Sequence, residues 1–383
     1  MRYNNIRKVL FAILLLLILI PLHSHSAEPF IVRVIYFKPT NAPPQPDGLT
    51  DLIEEVQIFY ANEMKRHGYG FKTFQFERDE NDDIVIHTIN GNHNAGHYIA
   101  PKTSVKVEEE LPFEFSDRNI KSGDNIHIVI VGGLDLINNS VLGVGWPIVR
   151  WQSGGRAYVA GNRLSVSLTA HELGHAFGLY HTDVPNSLMG PGSEILLDYE
   201  AAWLDKHHYF NDIHIRNDIP TFSTYIGAIV PDRWTVRYRF TTSSKSGLYY
   251  CQAINWNKNT LTIGYDELSG NTDTAVVDVS RRFISDGDSV SFLIMDVHGN
   301  FISHNINPIS VPENDPTRDP NEIVNKNPDP NQETDQDEEE IDKDIDPCPH
   351  CMPNDEEMLE NSDLGLQPQN KLTTQWAKLK SGR

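Results

Sequence analysis

The chain has few groups that could cross-link it and too few cations to hold nucleic acid. Only three cysteines occur in 383 residues, and none precedes Cys251. Three thiols cannot staple a chain of this length, so stability must come from packing. Lys and Arg total 32 against 53 Asp and Glu, for a formal net charge of −21. A nucleic-acid partner needs a basic face to neutralise phosphates, and that balance argues against one. Long apolar runs are missing from residues 33–310, so no membrane-spanning segment is expected in the mature chain. No internal repeat is present. Against these absences, 39% hydrophobic and 9% aromatic residues suffice for a real core. The length suits two or three domains of about 100–200 residues.

Neither end reads as core. Arg2, Arg7 and Lys8 form a basic head, residues 9–20 an apolar run, and Pro21 leads into a polar stretch ending at Ala27. That is the layout of a secretory signal, with cleavage expected after Ser26 or Ala27. The run is well short of the roughly 20 residues a spanning helix needs, and an uncleaved N-terminal anchor is the alternative reading. The mature protein is therefore expected to be secreted, with the periplasm or cell surface as variants. At the other end, residues 311–363 hold 19 acidic residues, 3 basic ones and eight prolines. Such a segment cannot bury enough apolar surface to offset its ordering entropy, and it reads as a solvated tail. Leu372, Trp376 and Leu379 among Lys371, Lys378, Lys380 and Arg383 form a short basic end, either an amphipathic segment or a frayed terminus.

Two folded units lie between. Residues 30–37 are rich in β-branched and aromatic side chains and read as a strand stopped by Pro39. A helix over 50–67 follows, with Leu52, Ile53, Val56, Ile58, Phe59 and Met64 as its apolar stripe. Strands are expected at 71–77, 84–89 and 125–131, a Gly-rich stretch at 143–161, and helices at 165–178 and 195–208. His207 and His208 are expected as exposed cations at the end of the last helix. From 216 to 310 short strands alternate with turn residues, which suggests a β-sandwich of immunoglobulin or fibronectin type III type. Cys251 there reads as a buried free thiol. The expected division is a signal at 1–27, an α/β (α+β) domain with a twisted mixed sheet at 28–212, a sandwich at 213–311 and an acidic tail at 312–383.

The chemistry is concentrated in residues 171–189. His171 and His175 are one helical turn apart and about 40° apart around the axis, so both imidazoles can reach one metal ion. Glu172 projects toward the same region and can take a proton instead of ligating. Gly178 can adopt the left-handed conformation that ends a helix and turns the chain back. That turn brings His181 toward the metal as a third ligand. Three imidazoles leave an open fourth position, the mark of a catalytic zinc site. The full spacing should arise by chance in only about one chain in ten thousand.

These eleven residues match HExxHxxGxxH, and here the sequence resembles the metzincin clan of zinc metallopeptidases. Met189, eight residues after His181, matches the methionine of the turn beneath the zinc, where the resemblance implies a packing role. The phrase from His181 through Pro185 to Met189 is most similar to matrixins. The resemblance also covers the order of elements from 29 to 212. It implies a secreted endopeptidase binding one Zn2+, with a zinc-activated water and with Glu172 as general base and then acid. The substrate is then a protein or peptide, paired with an edge strand drawn from residues 142–160, including 154–158. The pattern departs from the clan in places. No cysteine stands where a latency switch would need one, and no propeptide is expected. Pro191 replaces the tyrosine ligand of astacins. Glu194, spaced as a gluzincin ligand would be, competes poorly with Gly178, His181 and Met189 together.

Lesser features stay open at this level. His87, His93 and His97 lie in one polar stretch and offer either loop histidines or a second metal site. No pattern assigns a calcium site. Cys348 and Cys351 flank a histidine and suit a local or intermolecular disulfide better than a structural zinc. The alternative function is a non-catalytic adhesion or binding protein, its sandwich taking an extracellular-matrix or cell-surface ligand and its zinc domain serving as scaffold. The presence of Glu172 speaks against it. Substrate preference, regulation and oligomeric state leave no mark in the sequence.

Overall fold

The computed structural model describes residues 30–99, 102–116, 125–138, 141–148, 154–192, 194–211, 219–232, 234–258, 260–285 and 287–306. The stretches read as a signal and an acidic tail, with Cys348, Cys351 and the basic end, lie outside the described residues. No helix among the described residues is long and apolar enough to cross a membrane.

The first sheet is built around β1 (Ile31–Lys38). Both β2 (Gln75–Phe76) and β3 (Ile86–Asn90) pair with it in parallel on one side. On the other side follow β4 (Ile126–Val131) and then β6 (Gly154–Ala160), both parallel. The strand β5 (Gly143–Ile148) closes that edge antiparallel to β6. Central strands of such a sheet are covered on both faces, so they read as unbroken apolar runs. Every residue of β4 is buried accordingly.

Helices account for both covers. On one face α1 (Leu49–Arg66) buries Ile53, Val56, Tyr60 and Met64, a stripe of helical period. It shares a core with Val34, Ile128 and Ile130 of the sheet and with α4 (Val166–Ala176). The Tyr60 hydroxyl donates to the Ala170 carbonyl at 2.7 Å, which ties α1 to α4. On the opposite face α2 (Ala95–Ile99) and α3 (Thr103–Glu110) cover Ile35, Phe37, Val129 and Val131 with Tyr98 and Val107. The helix α5 (Asp198–Lys206) closes this unit.

The remaining strands form two antiparallel sheets around a second core. One has the order β11 (Thr272–Ser280), β8 (Thr235–Ser243), β7 (Thr221–Asp232). The other runs β10 (Leu261–Glu267), β9 (Leu248–Asn255), β12 (Val290–Asp296), β13 (Phe301–Ile306). Val236, Tyr238 and Phe240 of one sheet face Cys251, Phe292 and Ile294 of the other. Cys251 is a buried free thiol. The four-stranded sheet is buried on its second face too. Tyr250, Ile254, Leu293, Met295 and Phe301 belong to the same core as Trp203 and Phe177.

That docking corrects the expectation for His207 and His208. Both are buried, at 3% and 2% exposure. His208 stacks on Phe30, and His207 packs edge-on against Phe177. Burial pushes the His207 imidazole down to about 3, so it is neutral in the folded protein. The sequence shows a helix end but not the sheet packed over it. The loop at Gly299 comes so close that a Cβ there would meet the Lys206 carbonyl.

Candidate metal centre

The helix α4 carries the first two histidines. Ser165 caps its start, accepting from the Leu168 amide at 3.3 Å. Its end is a turn-reversal in which the Leu179 amide donates to Gly174 O at 3.0 Å and the Gly178 amide to His175 O at 2.9 Å. Gly178 sits at φ +82°, where a side chain would be strained, and Trp203 packs against its face. Past that turn His181 comes back over the helix. The three rings have centroids 4.8, 5.4 and 4.5 Å apart.

The chain fixes which nitrogen each ring presents. His171 Nδ1 donates to the Leu188 carbonyl at 2.6 Å, and His175 Nδ1 donates to the Leu179 carbonyl at 2.9 Å. A carbonyl can only accept, so these bonds leave both Nε2 atoms unprotonated and aimed at a common point. His175 Nε2 lies 3.1 Å from His181 Nε2. Two nitrogens bound to one tetrahedral zinc stand about 3.3 Å apart, so the spacing fits. One ligand atom from each of the three histidines lies within 4.8 Å of the others, so the set could hold a metal ion. Burial, reinforced by His181, keeps His175 neutral by pushing it well below the usual imidazole range. The same causes push His171 down to about 3.

Met189 is buried in the turn beneath these rings. Its sulfur occupies the space beside Gly174, where a Cβ would come within 2.6 Å of it. Its carbonyl accepts from the Thr182 amide at 3.0 Å, so the turn and the His181 loop are held together. Ser187 bridges the turn to α5, its hydroxyl donating to Glu200 at 3.1 Å and accepting from the Met189 amide at 3.1 Å.

Glu172 is 5% exposed and packs against β5. A Cβ on Gly143 would lie 2.5 Å from Glu172 Cγ, and one on Gly145 would lie 2.1 Å from the Glu172 carbonyl. The glycines in this stretch therefore serve close approach of a strand to a helix. Burial raises the Glu172 carboxyl well above its usual range. Among the described residues expected to supply a sheet edge, 143–148 form one. Residues 154–158 lie inside the sheet, where buried Arg156 pairs with Glu108 at 3.0 Å and contacts His127.

Sequence reasoning missed the contribution of the second unit. The His181 carbonyl accepts from the Thr262 amide of β10 at 2.7 Å, in a parallel bridge with Leu261. Gln252 donates to the Gly178 carbonyl at 3.1 Å, and Arg282 pairs with Asp183 at 2.6 Å. Nothing local in 261–262 signals this. The histidines at 87, 93 and 97 are not brought together: His87 pairs with Glu77 at 2.8 Å, while His93 and His97 gather with Glu110.

A family model described as matrixin matches residues 71–206. No curated protein matches the chain. Among solved structures, wild-type OgpA from Akkermansia muciniphila has a TM-score of 0.51 at 16% identity, covering 74% of this chain and 96% of that one. Catalytically inactive OgpA in complex with an O-glycopeptide substrate, glycodrosocin, has a TM-score of 0.52 with the same identity and coverage. At that identity the likeness speaks for the fold. The family match, together with the three converging imidazoles, bears out the resemblance read from the sequence: residues 71–206 are similar to the matrixin metallopeptidases.

Proposed function

We propose that the protein is a secreted zinc endopeptidase of metzincin type, with His171, His175 and His181 as ligands and Glu172 as general base and acid. The observation that carries this is the pair of Nδ1–carbonyl bonds that turn the Nε2 atoms of His171 and His175 toward His181. Zinc held there supplies a Lewis acid and an acidic water at neutral pH. The chain's own residues do the rest. Glu172, lodged between α4 and Gly143, is placed to hold a proton and return it to the leaving amine. Among the described residues β5 is the outer strand of its sheet, the place for an extended peptide to add. Met189 supports the floor by packing beside Gly174 of α4 and takes no part as a ligand.

The layout of residues 1–27 supports export, with residues 28–212 as the peptidase, 213–311 as a sandwich of immunoglobulin or fibronectin type III kind and 312–383 as a solvated tail. A protein or peptide is the substrate class. Because OgpA was captured with an O-glycopeptide, glycosylated peptides belong beside plain ones in any substrate panel. The test is cleavage of casein and such a panel by the zinc-loaded protein and by Glu172→Gln. Activity should fall about 10²–10⁴-fold in the variant with the fold kept, and a chelator should abolish it. Unchanged cleavage in both arms refutes the reading.

A further inference from the structure

We propose a second divalent transition-metal site on the opposite side of the first sheet, made by His93, His97 and Glu110. These residues come from two separate segments: the loop after β3 running into α2, and the C-terminal end of α3. One ligand atom from each lies within 4.8 Å of the others. The two imidazoles stack with centroids 4.0 Å apart, and His93 Nε2 is 3.8 Å from a Glu110 oxygen.

The support around the three side chains is built into the fold. The Glu110 side chain is only 12% exposed, and both its oxygens are held. One accepts from the Tyr98 hydroxyl at 2.8 Å and the other from the Asn92 amide at 2.6 Å. Among the described residues, the basic side chain within 4 Å of it is that of His93, and no Lys or Arg pairs with it. Lys106, the nearby cation, is engaged elsewhere, on the His97 carbonyl at 2.7 Å. The backbone at His93 is pinned on both sides, its carbonyl accepting from Thr40 at 2.8 Å and its amide donating to Tyr98 at 3.3 Å. Asn94 caps the His97 amide with its side chain at 3.2 Å. Both rings, by contrast, are exposed and free to close on an ion.

Outer-shell bonds that orient a ligating carboxylate are what metal sites use to gain affinity. Two imidazoles and one carboxylate select a zinc-like ion over calcium or magnesium, which prefer all-oxygen shells. Water would complete the shell on the exposed side. The bound ion would staple the loop at 91–99 to the end of α3.

The experiment is metal stoichiometry and zinc titration on the full chain, comparing wild type with His97→Asn and Tyr98→Phe. Wild type is expected to bind one zinc beyond the ion held at the first site. His97→Asn should lose that extra ion and keep peptidase activity. Tyr98→Phe, which removes the bond to Glu110, should weaken it about 10–100-fold. On wild type alone, adding the extra zinc should slow amide exchange at 91–99 and at the end of α3. An extra ion that survives His97→Asn overturns the proposal, as does saturation with no extra ion or no change in exchange at 91–99. The outcome is independent of the peptidase reading, which stands or falls on Glu172.

Discussion

Gly143 and Gly145 face the same helix, yet a methyl added to each would meet different obstacles. At Gly143 it meets the Glu172 side chain, which can swing aside. At Gly145 it meets the Glu172 carbonyl and the His175 Cβ, which cannot. Gly143→Ala should therefore lower kcat by displacing the carboxylate while leaving the melting temperature nearly unchanged. Gly145→Ala should destabilise the fold by about 1–3 kcal/mol, the usual cost of overpacking. Steady-state kinetics and thermal unfolding on the two variants check the contrast. Equal effects on both quantities would remove the distinction drawn between a side-chain and a backbone neighbour.

The first turn of α5 holds a second buried acid, and its behaviour belongs to the element. Glu200 is fully buried, accepting from the Leu197 amide at 2.7 Å and from Ser187. Burial raises its carboxyl from 4.5 to about 7, with these bonds opposing the rise. Between those values the unfolded chain has released the proton and the folded one keeps it. Stability should then fall as pH rises from about 4.5 to about 7 and level off above, by up to about 3 kcal/mol. Glu200→Gln should remove that slope and leave the variant the more stable of the two at neutral pH. Denaturant unfolding of both proteins across that range measures it.

Elements also differ in how much of them the sequence displays. The helix over α1 was legible because its apolar positions recur with helical period. The C-terminal end of α4 was legible because Gly178 marks it. By composition the strands β5 and β6 read as a Gly-rich stretch, and an edge strand there was expected only from the resemblance, since glycine signals a loop unless the neighbouring helix is known. The strand expected at 71–77 shrinks to two paired residues, and α2, α3 and β13 carry no strong period of their own. Among the site residues, the histidines and Glu172 stood out by fixed local spacing. Glu110, Thr262 and the role of Gly143 did not, because each acts through a contact distant in sequence.

At the scale of the whole molecule the two units share a core and a working part. The four-stranded sheet is a middle layer, with apolar side chains committed on both faces. A face so covered is closed to the matrix or cell-surface ligand expected of a free sandwich. The Thr262 amide points out of the edge of its sheet to the His181 carbonyl, a position where proline disturbs no ladder bond. Thr262→Pro should leave the sandwich folded and weaken zinc at the first site about 10–100-fold, as the loss of outer support does elsewhere. Isothermal zinc titration with circular dichroism tests it, and unchanged affinity would show the bridge to be incidental.

That bridge also imposes an order in time. The segment bearing His171, Glu172 and His175 leaves the ribosome well before β10 exists. A chain emerging N-terminus first holds every catalytic side chain early but its full clamp on His181 late. The outer support of His181 would thus be complete only once β10 has been made and docked against the loop.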